Sequence, residues 1–159
     1  MLSCHIWPIG ICSWSLKNEI PDLEQVMNES GITHLHLSLD PELNSENSEY
    51  LKTIQKHQWQ PTAAMIGFDQ EDYSTLESIR ETGGIVPDQH WEKNREKVLQ
   101  AIELSSKLGI ELLSFHFGFI DDSQHALREK VLYLADAAQR KNVPVSYTHL
   151  RAHETLRYL

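Results

Sequence analysis

Two short apolar stretches of this chain place histidine on a face of its own. In Ile32-Thr33-His34-Leu35-His36-Leu37-Ser38-Leu39, an extended backbone puts the leucines at 35, 37 and 39 on one side and His34, His36 and Ser38 on the other. In Leu112-Leu113-Ser114-Phe115-His116-Phe117-Gly118-Phe119, the aromatics at 115, 117 and 119 share one side and Ser114, His116 and Gly118 share the other. Imidazole changes charge near neutral pH and serves as acid, base or metal ligand. It also sits inside tight cores as a neutral, hydrogen-bonded group. His116 and His36 are the candidates for chemistry, and core packing is the competing use of the same pattern.

These segments need elements to hold them, and the hydrophobic pattern supplies an alternation. Residues 9–14, 32–39, 61–68, 110–119 and 143–145 read as strands or strand starts. Between them, residues 22–30, 46–57, 88–108 and 123–141 carry helical stripes, with Gly31 and Gly109 as stop signals. Strands separated by helices argue for parallel βαβ units, in a doubly wound sheet or a (β/α)8 barrel. No Gly-rich phosphate loop of either common type occurs. Strands of an open parallel sheet are usually apolar on both faces, whereas polar inner faces near strand C-terminal ends suit a barrel opening into a site.

The stretch 69–87 is long for a connection in a compact domain, has room for a short helical turn around Ser74 to Arg80, and lies where strand-to-helix loops would build a site. Its Arg80 could meet a phosphate or carboxylate, although a solvated surface arginine is the simpler reading. Its acidic run Asp69, Glu71 and Asp72 reads as a solvated turn.

The chain has 159 residues, 40% hydrophobic and 23% charged, ordinary for a globular domain. Its formal charge of −9, with no basic stripe, argues against nucleic acid or an acidic membrane as partner. Cys4 and Cys12 match no metal or redox spacing and read as two buried thiols in a reducing compartment. The apolar start lacks a basic leader region and is too short to span a membrane, so cytoplasm is expected.

The segments Gly10-Ile11-Cys12-Ser13-Trp14, His34-Leu35-His36 and Phe115-His116-Phe117-Gly118, in this order, resemble the xylose isomerase-like TIM barrels. That superfamily includes sugar and sugar-phosphate isomerases and epimerases and apurinic endonuclease IV. The most specific part runs from Asp88 to Gly118, a long helix ending Lys107-Leu108-Gly109 followed by the strand of His116. The resemblance implies an α/β fold of parallel (β/α) units over residues 1–145, roughly the first half of a (β/α)8 barrel truncated at strand five.

It also implies aldose–ketose isomerisation or epimerisation, by proton transfer beside a carbonyl polarised by a divalent metal. His116 is then the catalytic, substrate-facing residue of strand four. His36 takes the strand-two position that is a metal ligand in the endonuclease branch, and here it is placed with Trp14 and Arg80 as substrate-binding. Trp14 would form an apolar wall against the sugar, with plain core packing as its other use. The metal (Mn, Mg or Zn) is expected for the full-length parent, with a sugar or sugar phosphate as partner. The isomerase ligands are a Glu, an Asp, a His and a Glu at the ends of strands five to eight. The first is expected at about Tyr147 or Thr148, neither a carboxylate, so no metal ligand carries over and the fragment itself is expected to bind none.

Residues 146–155 resemble translated sequencing-adapter read-through, so 146–159 are expected to be a non-native tail. Its His149, His153 and Glu154 imitate a ligand cluster and are not read as one. Without the tail's Arg151, Arg157 and Glu154 the charge is −10. The expected function is therefore an inactive amino-terminal fragment of a sugar isomerase or epimerase. The alternatives are an endonuclease IV-like repair enzyme, or a non-enzymatic half-barrel that dimerises or binds a partner.

Overall fold

The chain opens with a small antiparallel ribbon, β1 (Ser3–Cys4) against β2 (Trp7–Pro8). The computed structural model describes residues 3–45, 49–85, 87–119 and 125–148. Cys4 lies exposed on the ribbon and Cys12 is half-buried, which corrects the expectation of two buried thiols. The reason is local: the ribbon stands apart from the hydrophobic cluster, and its Ile6 and Trp7 are exposed as well.

A parallel sheet follows. Its strands are β3 (Gly10–Cys12), β4 (His34–Ser38), β5 (Gln60–Met65), β6 (Leu113–His116) and β7 (Val145–Thr148). They lie side by side in chain order, every neighbouring pair parallel. A doubly wound sheet reverses its strand order at a switch point. A barrel adds each strand to the same side of the last, and this sheet does so four times in one direction.

Helices cover one face. They are α1 (Ile20–Ser30), α2 (Asp40–Leu43), α3 (Tyr50–Lys56), α4 (Leu76–Thr82), α5 (Trp91–Leu108) and α6 (His125–Arg140). Leu35, Leu37, Leu113 and Phe115 are buried in one cluster with Leu23 and Met27 of α1, Leu51 and Ile54 of α3, Val98 and Ile102 of α5, and Leu134 of α6. The strand alternation thus sends leucine and phenylalanine to the helices and leaves histidine and serine for the inner face. Pro21 and Asp22 suit the first turn of α1, where an N–H has no partner to lose. Gly31 ends α1 and Gly109 ends α5, both in the left-handed conformation that favours glycine. Among the described residues no helix is long and apolar enough to cross a membrane.

The helical turn expected around Ser74 to Arg80 in the long connection is α4, started by Thr75 Oγ1 accepting from the Ser78 N–H at 3.0 Å. Two expectations shift. The helix expected over 46–57 begins at Tyr50, preceded by the single turn of α2. The fifth strand runs from Val145 through Thr148, paired with β6 from Leu113 to His116. Backbone pairing tolerates many side chains, so the strand crosses the position where the tail was expected to start. His149, His153 and Glu154 lie outside the described residues.

Candidate functional site

β6 ends on His116, whose side chain is 8% exposed. Its Nδ1 lies 2.9 Å from Oε1 of Glu71, itself 6% exposed. Glu71 was expected in a solvated turn, and the structure corrects that. The same Oε1 accepts the Gly84 N–H at 3.0 Å, and Oε2 accepts the Phe68 N–H at 3.0 Å. The Gly84 carbonyl in turn accepts from Gln70 Nε2 at 2.8 Å and Asn94 Nδ2 at 3.2 Å. The connection 69–87 is therefore folded around one carboxylate, which explains how so long a segment holds a shape. Burial alone would raise the Glu71 carboxyl. The His116 hydrogen bond and the two backbone N–H groups outweigh it and hold the carboxyl below its ordinary value.

His116 Nε2 is buried and has no hydrogen-bond partner among the described residues. The Phe119 ring stands edge-on to the imidazole at 6.3 Å, and the Arg80 guanidinium lies 5.7 Å from the Phe119 ring centre. Arg80 is exposed on α4 and reaches the histidine only through that ring.

His36 forms a second group. Its Nε2 is 3.1 Å from Ser114 Oγ and 3.2 Å from the Ala64 carbonyl, so one side chain spans β4, β5 and β6. Trp14 sets its edge against the His36 ring at 4.7 Å and 78°, from a 3-10 turn at Ser13–Leu16. Burial holds the His36 pKa below its ordinary value, although the Ala64 carbonyl pulls the other way. That favours the neutral ring. Among the described residues no hydrogen bond joins the two histidines directly. They share the inner face through Ser114, two residues before His116.

A third group braces the floor of the connection. Asp40 accepts the Gly67 N–H at 3.1 Å and meets Lys97 Nζ at 2.8 Å, and Lys97 is 13% exposed. Asp69 pairs with Lys93 at 2.7 Å in solvent, which keeps the solvated reading for that member of the acidic run.

No protein-family model matches the sequence, and no curated protein is significantly similar to it. Solved structures do resemble it. A xylose isomerase domain protein from Planctomyces limnophilus superposes with a TM-score of 0.68 at 18% identity, covering 77% of this chain and 47% of its own. A xylose isomerase-like TIM barrel protein from Mycobacterium smegmatis, in complex with magnesium, gives 0.62 at 20% identity over 92% of this chain and 56% of its own. The fold is that of a xylose isomerase-like TIM barrel. The IOLI protein with a bound zinc atom gives 0.55 at 12% identity, covering 87% of this chain and 50% of its own. The chain thus spans about half the length of these barrels.

In barrel terms β3 to β7 are strands one to five, and the two histidine groups occupy the inner faces of strands two and four. Glu71 comes from the connection after strand three, and sequence reasoning missed it. The available signal was Gly83-Gly84 in the same connection, a pair that lets backbone approach backbone closely. Among the described residues no three His, Cys, Asp or Glu side chains gather around one point. Glu71 already has both oxygens engaged. These residues do not fit a divalent cation by themselves.

Tyr73 stands at the rim, 66% exposed. Partial burial of its ring and the negative charge of Glu71 push its phenol up to about 12. Its ring-carbon NMR shift should therefore remain that of a neutral phenol through about pH 11, where an ordinary tyrosine of pKa near 10 is mostly ionised. A midpoint near the ordinary value would remove Tyr73 from the neighbourhood of Glu71.

Proposed function

We propose that this chain is the substrate-facing half of a sugar or sugar-phosphate isomerase or epimerase, and that the 159 residues alone do not turn over. The observation that carries the reading is the buried His116–Glu71 pair at the C-terminal end of strand four, the end where TIM barrels keep their chemistry. A buried imidazole tied to a carboxylate is a device for holding or moving a proton at a hydroxyl or at carbon beside a carbonyl. His36 and Trp14 supply a polar edge and an apolar wall for a sugar ring. Arg80, exposed beside Phe119, suits a phosphate on the substrate. The divalent metal of the parent, by this reading, is held by residues other than those described. Its contribution there is to polarise the substrate carbonyl. The magnesium and zinc carried by two of the similar structures support the expectation of a metal. Unpaired Cys4 and Cys12 suit a reducing compartment such as the cytoplasm, and the acidic balance favours a small molecule over nucleic acid.

The test is a titration of the 15N-labelled chain with pentose and hexose phosphates, in parallel with DNA carrying an abasic site. The His36 and His116 side-chain resonances should move with the sugar phosphates and not with DNA. The reverse response would establish the endonuclease reading instead. Isomerisation of any ketose by the purified chain, with manganese, magnesium or zinc added, would overturn the claim that this half is inactive.

A further inference from the structure

We propose that Glu71 is a positioning residue: it fixes His116 as the Nδ1–H tautomer and so leaves the ring's lone pair on Nε2 to accept a hydrogen bond from a hydroxyl of a bound polyol. The inference rests on the reading of His116 as substrate-facing and goes beyond it, by saying which ring atom acts and what sets it.

The hydrogen-bond inventory of the carboxylate decides the tautomer. Glu71 accepts from two backbone N–H groups, Phe68 on Oε2 and Gly84 on Oε1. Backbone N–H groups only donate, so the carboxylate is held in its acceptor form. The third contact, 2.9 Å from His116 Nδ1 to Oε1, must then be donated by the ring. A neutral imidazole carries one N–H, so Nε2 is left as a bare acceptor.

That acceptor is buried and unpartnered among the described residues. Leaving a buried polar atom unpaired is unfavourable, and the great majority of such atoms in folded proteins are paired. An atom kept in this state is one that a ligand completes. The surrounding chain is also shaped to bring the carboxylate to the ring. A Cβ added at Gly83 would lie 2.8 Å from His116 Cε1 and 2.5 Å from the Ile79 carbonyl oxygen. A Cβ at Gly84 would lie 2.4 Å from the His116 carbonyl oxygen. Two adjacent positions without side chains let the connection close on the histidine from the side of Glu71. A bare Nε2 would also take a divalent cation. No second and third donor gather with it among the described residues, which favours the hydroxyl.

The experiment is a long-range 1H–15N correlation spectrum of the chain labelled at its histidines, recorded at about pH 8 where an ordinary imidazole is neutral. His116 should show a protonated Nδ1 and a bare Nε2. Glu71→Gln should keep that tautomer, because its amide oxygen still accepts. Glu71→Ala should move the proton to Nε2. A wild-type ring protonated at Nε2, or a tautomer unchanged in a folded Glu71→Ala chain, overturns the role of Glu71. The wild-type spectrum decides the tautomer even where Glu71→Ala fails to fold. Sorbitol is the ligand probe and zinc its control. Sorbitol should shift Nε2 in the wild-type chain, with apparent affinity falling about tenfold in Glu71→Ala, the size of one lost hydrogen bond. A response to zinc but not to sorbitol overturns the hydroxyl assignment. The expected tautomer without a response to either probe sinks the reading of His116 as substrate-facing.

Discussion

Gly84→Ala should remove about 4 kcal/mol or more of unfolding free energy, a loss reserved for substitutions that break backbone packing. Gly84 sits at φ +68, and an added Cβ would stand 2.3 Å from the Gly118 nitrogen and 2.4 Å from both the His116 carbonyl oxygen and the Phe117 carbonyl carbon. All three are backbone atoms of the segment that carries His116. They cannot swing aside as a side-chain tip would, so relief requires the connection to move away from strand four. Gly31 is the control. It has nearly the same conformation, φ +69, with nothing within 4 Å of the added atom. Gly31→Ala should cost only the left-handed strain of a non-glycine residue, about 1–2 kcal/mol. Urea unfolding followed by tryptophan fluorescence compares the two. Equal losses would mean that the contact between Gly84 and strand four does not hold the connection in place.

Glu71→Ala is the second large effect, about 3 kcal/mol. It strands three donors in one step: His116 Nδ1–H and the N–H groups of Phe68 and Gly84. Each unpaired buried donor carries a desolvation penalty of about 1–3 kcal/mol, and part of it is relieved when water enters the gap. The substitution should also change the response to acid. In the folded chain the Glu71 carboxyl is held below its ordinary value. Its contribution is therefore present above the unfolded carboxyl pKa of about 4.3 and is lost as pH falls through the lower folded value. Stability measured from pH 7 to pH 3 should fall less steeply in Glu71→Ala than in the wild type. Parallel curves for the two proteins would show that Glu71 is not held ionised by its partners.

The strand faces were legible because they follow from alternation within eight residues. Leu35 and Leu37 point to the helices, and His36 and Ser114 meet on the inner face, as the pattern in each strand requires. Barrel over open sheet was legible for a related reason, since polar inner faces need a concave interior. Glu71 was not legible. Its burial depends on Gly84 and His116, 13 and 45 residues away along the chain, and an acidic run has the same local composition whether water or backbone amides surround it. Arg80 is a middle case. Its loop position was visible, while its contact with Phe119 depends on where strand four ends. The thiols show the opposite error. Lacking any metal or redox spacing, Cys4 was read as a buried thiol, but two residues of ribbon pairing do not join the main cluster.

The succession of β3 to β7 also bears on how the chain acquires its shape. Each strand pairs with the one made just before it, so every docking step spans one strand–helix unit and none waits for a distant partner. Loop-closure entropy is met in small instalments, and the sheet can grow in the direction of synthesis as the chain leaves the ribosome. At every stage the newest strand presents a row of free amides and carbonyls, the template for the next strand and equally for a strand of another molecule. The pace of translation past each unit, rather than the final stability of the sheet, would then set how much of this polypeptide is lost to aggregation.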